Sequence, residues 1–159
     1  MKVELAGSVD TFDALSSGAL FACVHAEQVR YCVKVEDGKD ARCLILAPCL
    51  EGEGAPSVID GDAFSERAVL RISDGFLSAS PAALLSRLDA HAAPGSLVAA
   101  PSGSFMVARR TGRKVYVCLE NGHFADPPAA AGIFTAWSIC QTGGGGAFRV
   151  LAEFPAPAK

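Results

Sequence analysis

The sequence predicts a mainly β protein in which antiparallel strands form two related small β units, each barrel- or sandwich-like, joined by one α-helix. Three observations predict this class: apolar and polar residues alternate along most of the chain, glycine-containing turns separate the alternating runs, and one turn-and-strand pattern occurs twice. Residues 17–22 (SGALFA) return as 94–99 (PGSLVA), 77 positions later, and the pair 43–44 (CL) returns at 118–119, 75 positions later. Such a period is typical of a duplicated β unit.

The first unit, residues 1–79, is predicted to contain a three-stranded meander. Residues 29–36 alternate between apolar and polar side chains, which indicates a strand with one buried face, and a turn follows at Asp37-Gly38. Residues 41–47 are apolar on both faces after the arginine, which predicts a more interior strand. A further alternating run at 67–72 ends before a turn at Asp74-Gly75, and a short helical turn is predicted near the start of the unit, at 11–16.

An α-helix over residues 81–92 is predicted to form the connection, within the segment 80–93. Ser80 can cap its first turn, Pro81 suits the first helical position, and Pro94-Gly95 would end it. Its apolar stripe would consist of Leu84, Leu85 and Leu88.

The second unit, residues 94–159, is predicted to contain a β-hairpin with a basic tip. Residues 105–110 and 114–120 alternate on either side of a turn at Thr111-Gly112. The run 148–154 alternates as well, and we align it with the strand at 67–72 at an offset of about 79. The glycine run 143–146 is followed by a strand pattern and no helix, so it is a loop rather than a phosphate cradle.

The composition excludes several classes of protein. Half of the residues are hydrophobic and only 19% are charged, which excludes disorder and leaves apolar surface for contact with another chain. The formal charge is -3 and the only concentrated positive run is 109–114, so we expect no nucleic-acid partner. No apolar run has the roughly 18–20 residues of a membrane span, and none at the amino terminus is typical of a signal peptide. We therefore expect a cytoplasmic protein without membrane contact, or one incorporated in a virion assembled there.

Several side chains could carry chemistry, but none lies in a specific motif. The six cysteines have neither zinc-pair nor redox-dithiol spacing, so we expect mostly buried free thiols, no metal and no cofactor. Four sets of residues have catalytic or metal-binding side-chain types: Cys23 with His25, His123 with Asp126, Cys49 alone, and Asp60 with Asp62 and Glu66. Each lacks the third ligand, orienting group or loop spacing that its chemistry requires. We therefore assign no catalytic, cofactor-binding or metal-binding residue.

We expect a non-catalytic structural or accessory protein that acts through protein–protein contacts, with itself or with other proteins of an assembly. The best contact candidates are the cations at the tip of the hairpin and one aromatic residue in the run 133–140: Arg109, Arg110, Arg113, Lys114 and Trp137. For Trp137 the alternative is packing in the core. The lead-in 12–21, followed by Tyr31-x-x-Lys34, is loosely similar to small β proteins of phage origin, and this similarity identifies no family. We expect a component of a larger homo-oligomeric assembly such as a phage or virus-like particle.

The alternative function is a small-ligand or flavin-type cofactor-binding enzyme built on a β barrel. In it, Arg110, Arg113 and Lys114 would hold a phosphate. A concave pocket of several hundred Å³ facing these cations would distinguish it from an interaction protein with a filled interior.

Overall fold

The computed structural model describes residues 7–85, 92–128, 132–143 and 146–155. Within them the protein is mainly β, and the helical elements are two short 3-10 helices, Gly61–Ala63 and Pro81–Ala83. The strands are β1 (Ser8–Thr11), β2 (Leu20–His25), β3 (Gln28–Asp37), β4 (Asp40–Ala47), β5 (Ser57–Asp60), β6 (Ala68–Arg71), β7 (Gly75–Ala79), β8 (Leu84–Leu85), β9 (Leu97–Ala100), β10 (Gly103–Arg110), β11 (Arg113–Cys118), β12 (Phe124–Ala125), β13 (Gly132–Phe134), β14 (Trp137–Thr142) and β15 (Phe148–Phe154).

These strands form two sheets of unequal size. Twelve strands make up the large sheet, and β15, β14 and β7 pair in that order in a small antiparallel sheet. Pairing is antiparallel throughout except where the first half of the chain meets the second, at β5–β10 and at an isolated parallel bridge between Glu36 and His123. The predicted mainly antiparallel β class is therefore confirmed at this level.

Both halves of the large sheet arrange six strands in the same order. In the first half the order is β1-β6-β2-β3-β4-β5. In the second half it is β8-β13-β9-β10-β11-β12. Each half thus contains the same four-stranded meander, β2–β5 or β9–β12. The first and last strands of each half (β1 and β6, or β8 and β13) extend the sheet beyond the first strand of the meander, so every strand of one half has a counterpart in the other.

The turns before β2 and β9 show this correspondence in their hydrogen bonds. Gly18 N donates to Lys34 O (2.8 Å), and Gly95 N donates to Val107 O (2.7 Å). The residue after each glycine accepts a hydrogen bond in return: Ala19 O accepts from Lys34 N (3.0 Å), and Ser96 O accepts from Val107 N (2.9 Å). Both glycines have positive φ, 82° and 98°, which side chains with a Cβ rarely adopt. Gly18 and Gly95 are therefore structural counterparts, 77 positions apart.

The contacts between the halves are reciprocal. From the first half, Glu36 N donates to Gly122 O of the second half at 2.9 Å. Arg109 is the counterpart of Glu36 in the second half, and its N donates to Pro56 O of the first half, also at 2.9 Å. Reciprocity of this kind defines an isologous, two-fold interface. The small sheet follows the same symmetry, because β7 and β14 pair with Leu77 directly opposite Ile139. An approximate two-fold axis therefore passes between the halves within one chain.

The main core lies between the two sheets. Its buried residues come from the meanders of both halves and from the small sheet, with Leu44, Leu46, Met106, Trp137 and Ile139 at its centre. Two smaller clusters lie on the opposite face of the large sheet, one in each half. The first is covered by the loop at 11–16, where Phe12 and Leu15 point inward as predicted, although the loop forms turns and no helix.

The predicted α-helix at 81–92 is wrong over its described part. Pro81 begins a single 3-10 turn, after which Leu84 is extended (φ -69°, ψ 121°). Leu84 and Leu85 form β8 and pair with Phe134 and Ile133. Backbone hydrogen bonds at the edge of the sheet thus replace those of the expected helix. The rest of the predicted helix, residues 86–91, lies outside the described residues. The described residues contain no α-helix that joins two units, and their strands do not close into a barrel.

Two details of the predicted repeat are also wrong. The hairpins β3–β4 and β10–β11 correspond at an offset of 73, so Tyr116, and not Cys118, is the counterpart of Cys43. The run 148–154 forms β15 in the small sheet, whereas β6 lies in the large sheet, where its counterpart is β13. The division of the chain at 1–79, 80–93 and 94–159 stays a prediction.

Candidate interaction surfaces

The predicted basic hairpin is present as β10–β11. Its strands pair from Phe105–Cys118 to Arg110–Arg113. The two turn residues, Thr111 and Gly112, have φ values of 48° and 75°. Two successive positive φ values are typical of the tight turn that matches the twist of a two-stranded hairpin.

The four predicted cations differ in their partners. Arg109 lies 3.9 Å from the carboxylate of Glu53. Lys114 Nζ donates to Ala92 O at 3.2 Å and lies over the ring of Tyr116. The Arg113 side chain is exposed and forms no ion pair or hydrogen bond with the described residues. The exposed charges at the tip are therefore Arg113 and part of Arg109, rather than all four cations.

The two halves of the large sheet meet where β3 contacts the segment 122–123 and where β10 contacts the segment 56–57, and we call this region the junction. Arg110 is part of the junction. Its guanidinium donates to Asp37 Oδ2 at 2.5 Å, with side-chain exposures of 31% and 38%. The same guanidinium lies 4.9 Å from the centre of the Phe124 ring, within the range of a cation–π contact. Arg110 therefore links the two halves, and its guanidinium already has a carboxylate and an aromatic partner.

A polar groove of about 500 Å³ lies beside Arg110 and Thr111, and Arg42 and Asp60 line its other side. Arg42 forms ion pairs with Asp60 and Asp40, so both guanidinium groups of the groove already have carboxylate partners. The groove does not reach Arg113 or Lys114. A phosphate bound here would have to compete with these carboxylates.

Trp137 belongs to the core. Its side chain is 2% exposed, and Nε1 donates to Gly95 O at 2.8 Å. Its ring stacks on Phe154 with 5.1 Å between centroids and an interplanar angle of 13°. The interpretation as core packing fits this environment, and Trp137 offers no surface to a partner.

The outer face of the small sheet carries a cluster of exposed apolar side chains that no sequence motif marks. Phe76 on β7 and Val150 on β15 lie opposite the same residue of β14, Cys140, so their side chains share a face. Phe148 packs edge-on against Phe76, with centroids 6.1 Å apart. The exposed fractions of Phe76, Phe148 and Val150 are 40%, 64% and 46%. In the sequence, Phe148 and Val150 belong to an alternating run, but alternation alone does not tell which face is covered.

A cavity of about 210 Å³ lies between the two sheets on the side of the first half. Its wall is largely apolar, and Glu120 stands at its mouth. Burial opposes ionisation of Glu120, but hydrogen bonds from Cys118 Sγ and Ser104 N outweigh it, so the pKa of this carboxyl lies below its usual value. The Glu120 carboxylate is therefore charged at neutral pH.

The thiol and imidazole candidates are not assembled into a reactive site. The Cys23 thiol contacts Cys32, with 3.8 Å between the sulfurs, and this bond together with burial raises its pKa. Burial lowers the pKa of His25, whose ring packs on Phe64. Cys49 Sγ donates to Leu46 O at 3.6 Å, and burial raises its pKa too. Raised thiol pKa values reduce nucleophilicity.

The remaining candidates have backbone or ion-pair roles. His123 lies at the junction, where its carbonyl accepts from Cys118 N, and no hydrogen bond joins it to Asp126. Asp60 pairs with Arg42, and Glu66 N donates to the carboxylate of Asp13. In the part of the chain that the structure describes, no three acidic, histidine or cysteine side chains are grouped as metal ligands.

Among the described residues, no helix is long and apolar enough to cross a membrane. Comparison with protein-family models, with curated proteins and with solved structures found no match.

Proposed function

We propose that this chain is a non-catalytic structural or accessory protein that acts through protein–protein contacts, as a component of a larger homo-oligomeric assembly. The observation that supports this proposal most directly is the outer face of the small sheet, where Phe76, Phe148 and Val150 are exposed together. Large apolar side chains grouped on one face are costly in water and are common where another molecule covers them.

The position of β15 strengthens this assignment. It is an edge strand of the small sheet, and its other side pairs with no described strand. A seven-residue edge (Phe148–Phe154) presents backbone donors and acceptors to a second chain. It also lies outside the two-fold pattern, since β7 and β14 correspond to each other and no described strand corresponds to β15. The strand that breaks the symmetry thus carries two of the three exposed apolar residues.

We further propose that the two halves are copies of one β unit, so that the chain contains an internal dimer. The reciprocal bonds of Glu36 and Arg109 and the facing pair Leu77–Ile139 support this relationship. An internal two-fold interface uses the surfaces through which the two units meet, and the outer face of the small sheet remains available for external contacts.

The alternative, a flavin-type enzyme, has one supporting observation, the groove beside Arg110. The ion pairs of Arg110 and Arg42 favour the interaction protein over it. Absorbance of the purified protein distinguishes the two, because bound flavin is yellow; a stoichiometric flavin spectrum would replace our proposal with the alternative.

A paired substitution tests the contact surface. Phe148→Thr removes an apolar side chain from the outer face, and Val24→Thr makes a similar change at the tip of the β2–β3 hairpin, where the exposed fraction is nearly the same, 63% against 64%. We expect Phe148→Thr to reduce the sedimentation coefficient to that of a single chain and Val24→Thr to leave it at the wild-type value. Equal values for all three proteins would contradict the assignment of this surface.

A further inference from the structure

The cavity between the sheets corresponds by symmetry to the site that Trp137 fills. Leu77 and Ile139 face each other across the two-fold axis and are therefore counterparts. Gly75 lies two positions before Leu77, and Trp137 lies two positions before Ile139, so Gly75 and Trp137 are counterparts too. The cavity is lined by Gly18, which is the counterpart of Gly95, the residue whose carbonyl accepts the Trp137 N–H. The first half therefore has a glycine where the second half has an indole ring. The Leu20 side chain fills the space next to the Gly75 Cα, and a cavity remains beside it.

The shape and lining of the cavity fit an aromatic ring. Leu20, Val33, Leu46, Leu77 and Leu97 supply its apolar wall. Its volume of about 210 Å³ exceeds the roughly 150 Å³ that suffices for benzene in an apolar cavity. In the second half, the corresponding space holds Trp137 stacked on Phe154, which shows that this arrangement of strands accommodates planar rings.

The mouth of the cavity favours a positive charge. Glu120 borders both the cavity and an adjoining polar cleft of about 380 Å³. Arg71 and Asp74 also line that cleft, so the three charged side chains together carry one net negative charge. The hydroxyl oxygen of Ser17, in the same wall, is buried and has no hydrogen-bond partner among the described residues, and such groups are uncommon in folded proteins.

We propose that this cavity binds a small arylalkylamine, with an indole-sized ring against the apolar wall and the ammonium group at the Glu120 carboxylate. The ring takes the position that corresponds to Trp137, and its N–H faces Gly18 as the Trp137 N–H faces Gly95. Phe76, on the contact surface, also lines the cavity, so the two sites adjoin, and the ligand site is tested below by ligand binding rather than by oligomeric state.

Titration of the full chain with tryptamine, followed by ¹H–¹⁵N NMR, tests the proposal. Indole-3-propionate is the matched probe, because it has the same ring and linker but a negative group. We expect tryptamine to shift the amide signals of Gly18, Gly75 and Leu77 and to bind about tenfold more tightly, since exchanging the end group converts attraction to Glu120 into repulsion. Equal binding of the two probes, or shifts confined to other residues, would overturn it.

Two variants separate the ring site from the charge site. Glu120→Gln is expected to abolish the preference for tryptamine while leaving binding of the ring. Val33→Met fills part of the cavity with the side chain found at the counterpart position, Met106, and is expected to weaken both probes, whereas Val24→Met, at an exposed position, changes neither. A preference that persists in Glu120→Gln, or ring binding undiminished in Val33→Met, would contradict the site.

Discussion

Asp37 and Arg110 occupy counterpart positions in the two halves and form an ion pair with each other, 2.5 Å from Oδ2 to the guanidinium nitrogen. Each is the last residue of a third strand before a two-residue turn, as the pairs Asp37–Asp40 and Arg110–Arg113 show. In a dimer of identical units this position would face its own copy across the axis, and like charges would repel. Opposite charges at the two positions remove that repulsion within one chain.

The coupling between these two residues can be measured. We expect a double-mutant cycle of Asp37→Ala and Arg110→Ala to give a coupling free energy of about 0.5–1 kcal/mol, because both side chains are partly exposed and the pair is screened by solvent. Added salt should reduce it. The control is Arg113→Ala on the same hairpin, which should change the free energy of unfolding by less than about 0.5 kcal/mol. A coupling energy of zero would show that the pair does not stabilise the junction.

The junction also depends on Gly122. This residue is buried, has a φ of 69°, and a Cβ added to it would contact Gly18 N, Ser17 Oγ and Lys34 O. Gly112 has a similar φ of 75°, but a Cβ added to it would meet no atom within 4 Å. Thermal unfolding should therefore show a larger loss of stability for Gly122→Ala than for Gly112→Ala, which carries only the conformational cost of about 1 kcal/mol. Equal losses would contradict the close packing at Gly122.

Lys34 is expected to stabilise the loop that covers the first half. The side chain is buried, and its Nζ donates to Asp13 O at 2.9 Å and to Leu15 O at 2.7 Å. Lys34→Met keeps the apolar chain but leaves these carbonyls without a donor, so we expect a loss of about 1–3 kcal/mol in urea unfolding. The same change at the exposed Lys39 should have little effect. A Lys34→Met protein as stable as Lys39→Met would disprove this role.

Buried thiols make stability depend on pH above neutrality. Burial raises the pKa of Cys32, and the pKa of Cys23 is raised first by the hydrogen bond between Cys23 and Cys32 and then by burial. Their contribution is fully present below the unfolded thiol pKa of about 8.5 and decreases as pH rises further, because unfolded thiols then release protons that folded ones retain. The slope is at most about 1.4 kcal/mol per pH unit for each thiol. Urea unfolding of Cys32→Ala should show a shallower decrease than the wild type, and parallel curves would contradict this assignment.

The sequence was a better guide to local structure than to long-range pairing. The hairpin with its turn at Thr111-Gly112 could be predicted, since alternation and the turn residues determine it locally. The match of Gly18 with Gly95 could be found because both positions need a positive φ. The match of Cys43 with Cys118 was two positions out of register, because the loops between strands differ in length in the two halves.

Longer-range features could not be predicted from the same patterns. The helix-start residues Ser80 and Pro81 are followed by an edge strand, because pairing of Leu84 and Leu85 with β13 involves residues about 50 positions away. Trp137 could be listed as a contact residue or a core residue, and only the position of Gly95 and Phe154 decides for the core. The outer face around Phe148 was missed because period-two alternation does not reveal which face remains uncovered.

The central claim is that this chain acts through contacts with other chains, and its native mass tests that claim most directly. Light scattering over a range of concentrations, with native mass spectrometry to detect bound small molecules, should give a multiple of the 16.4 kDa chain mass. A mass of one chain at every concentration would contradict the assembly proposed here, whether or not a small molecule is bound.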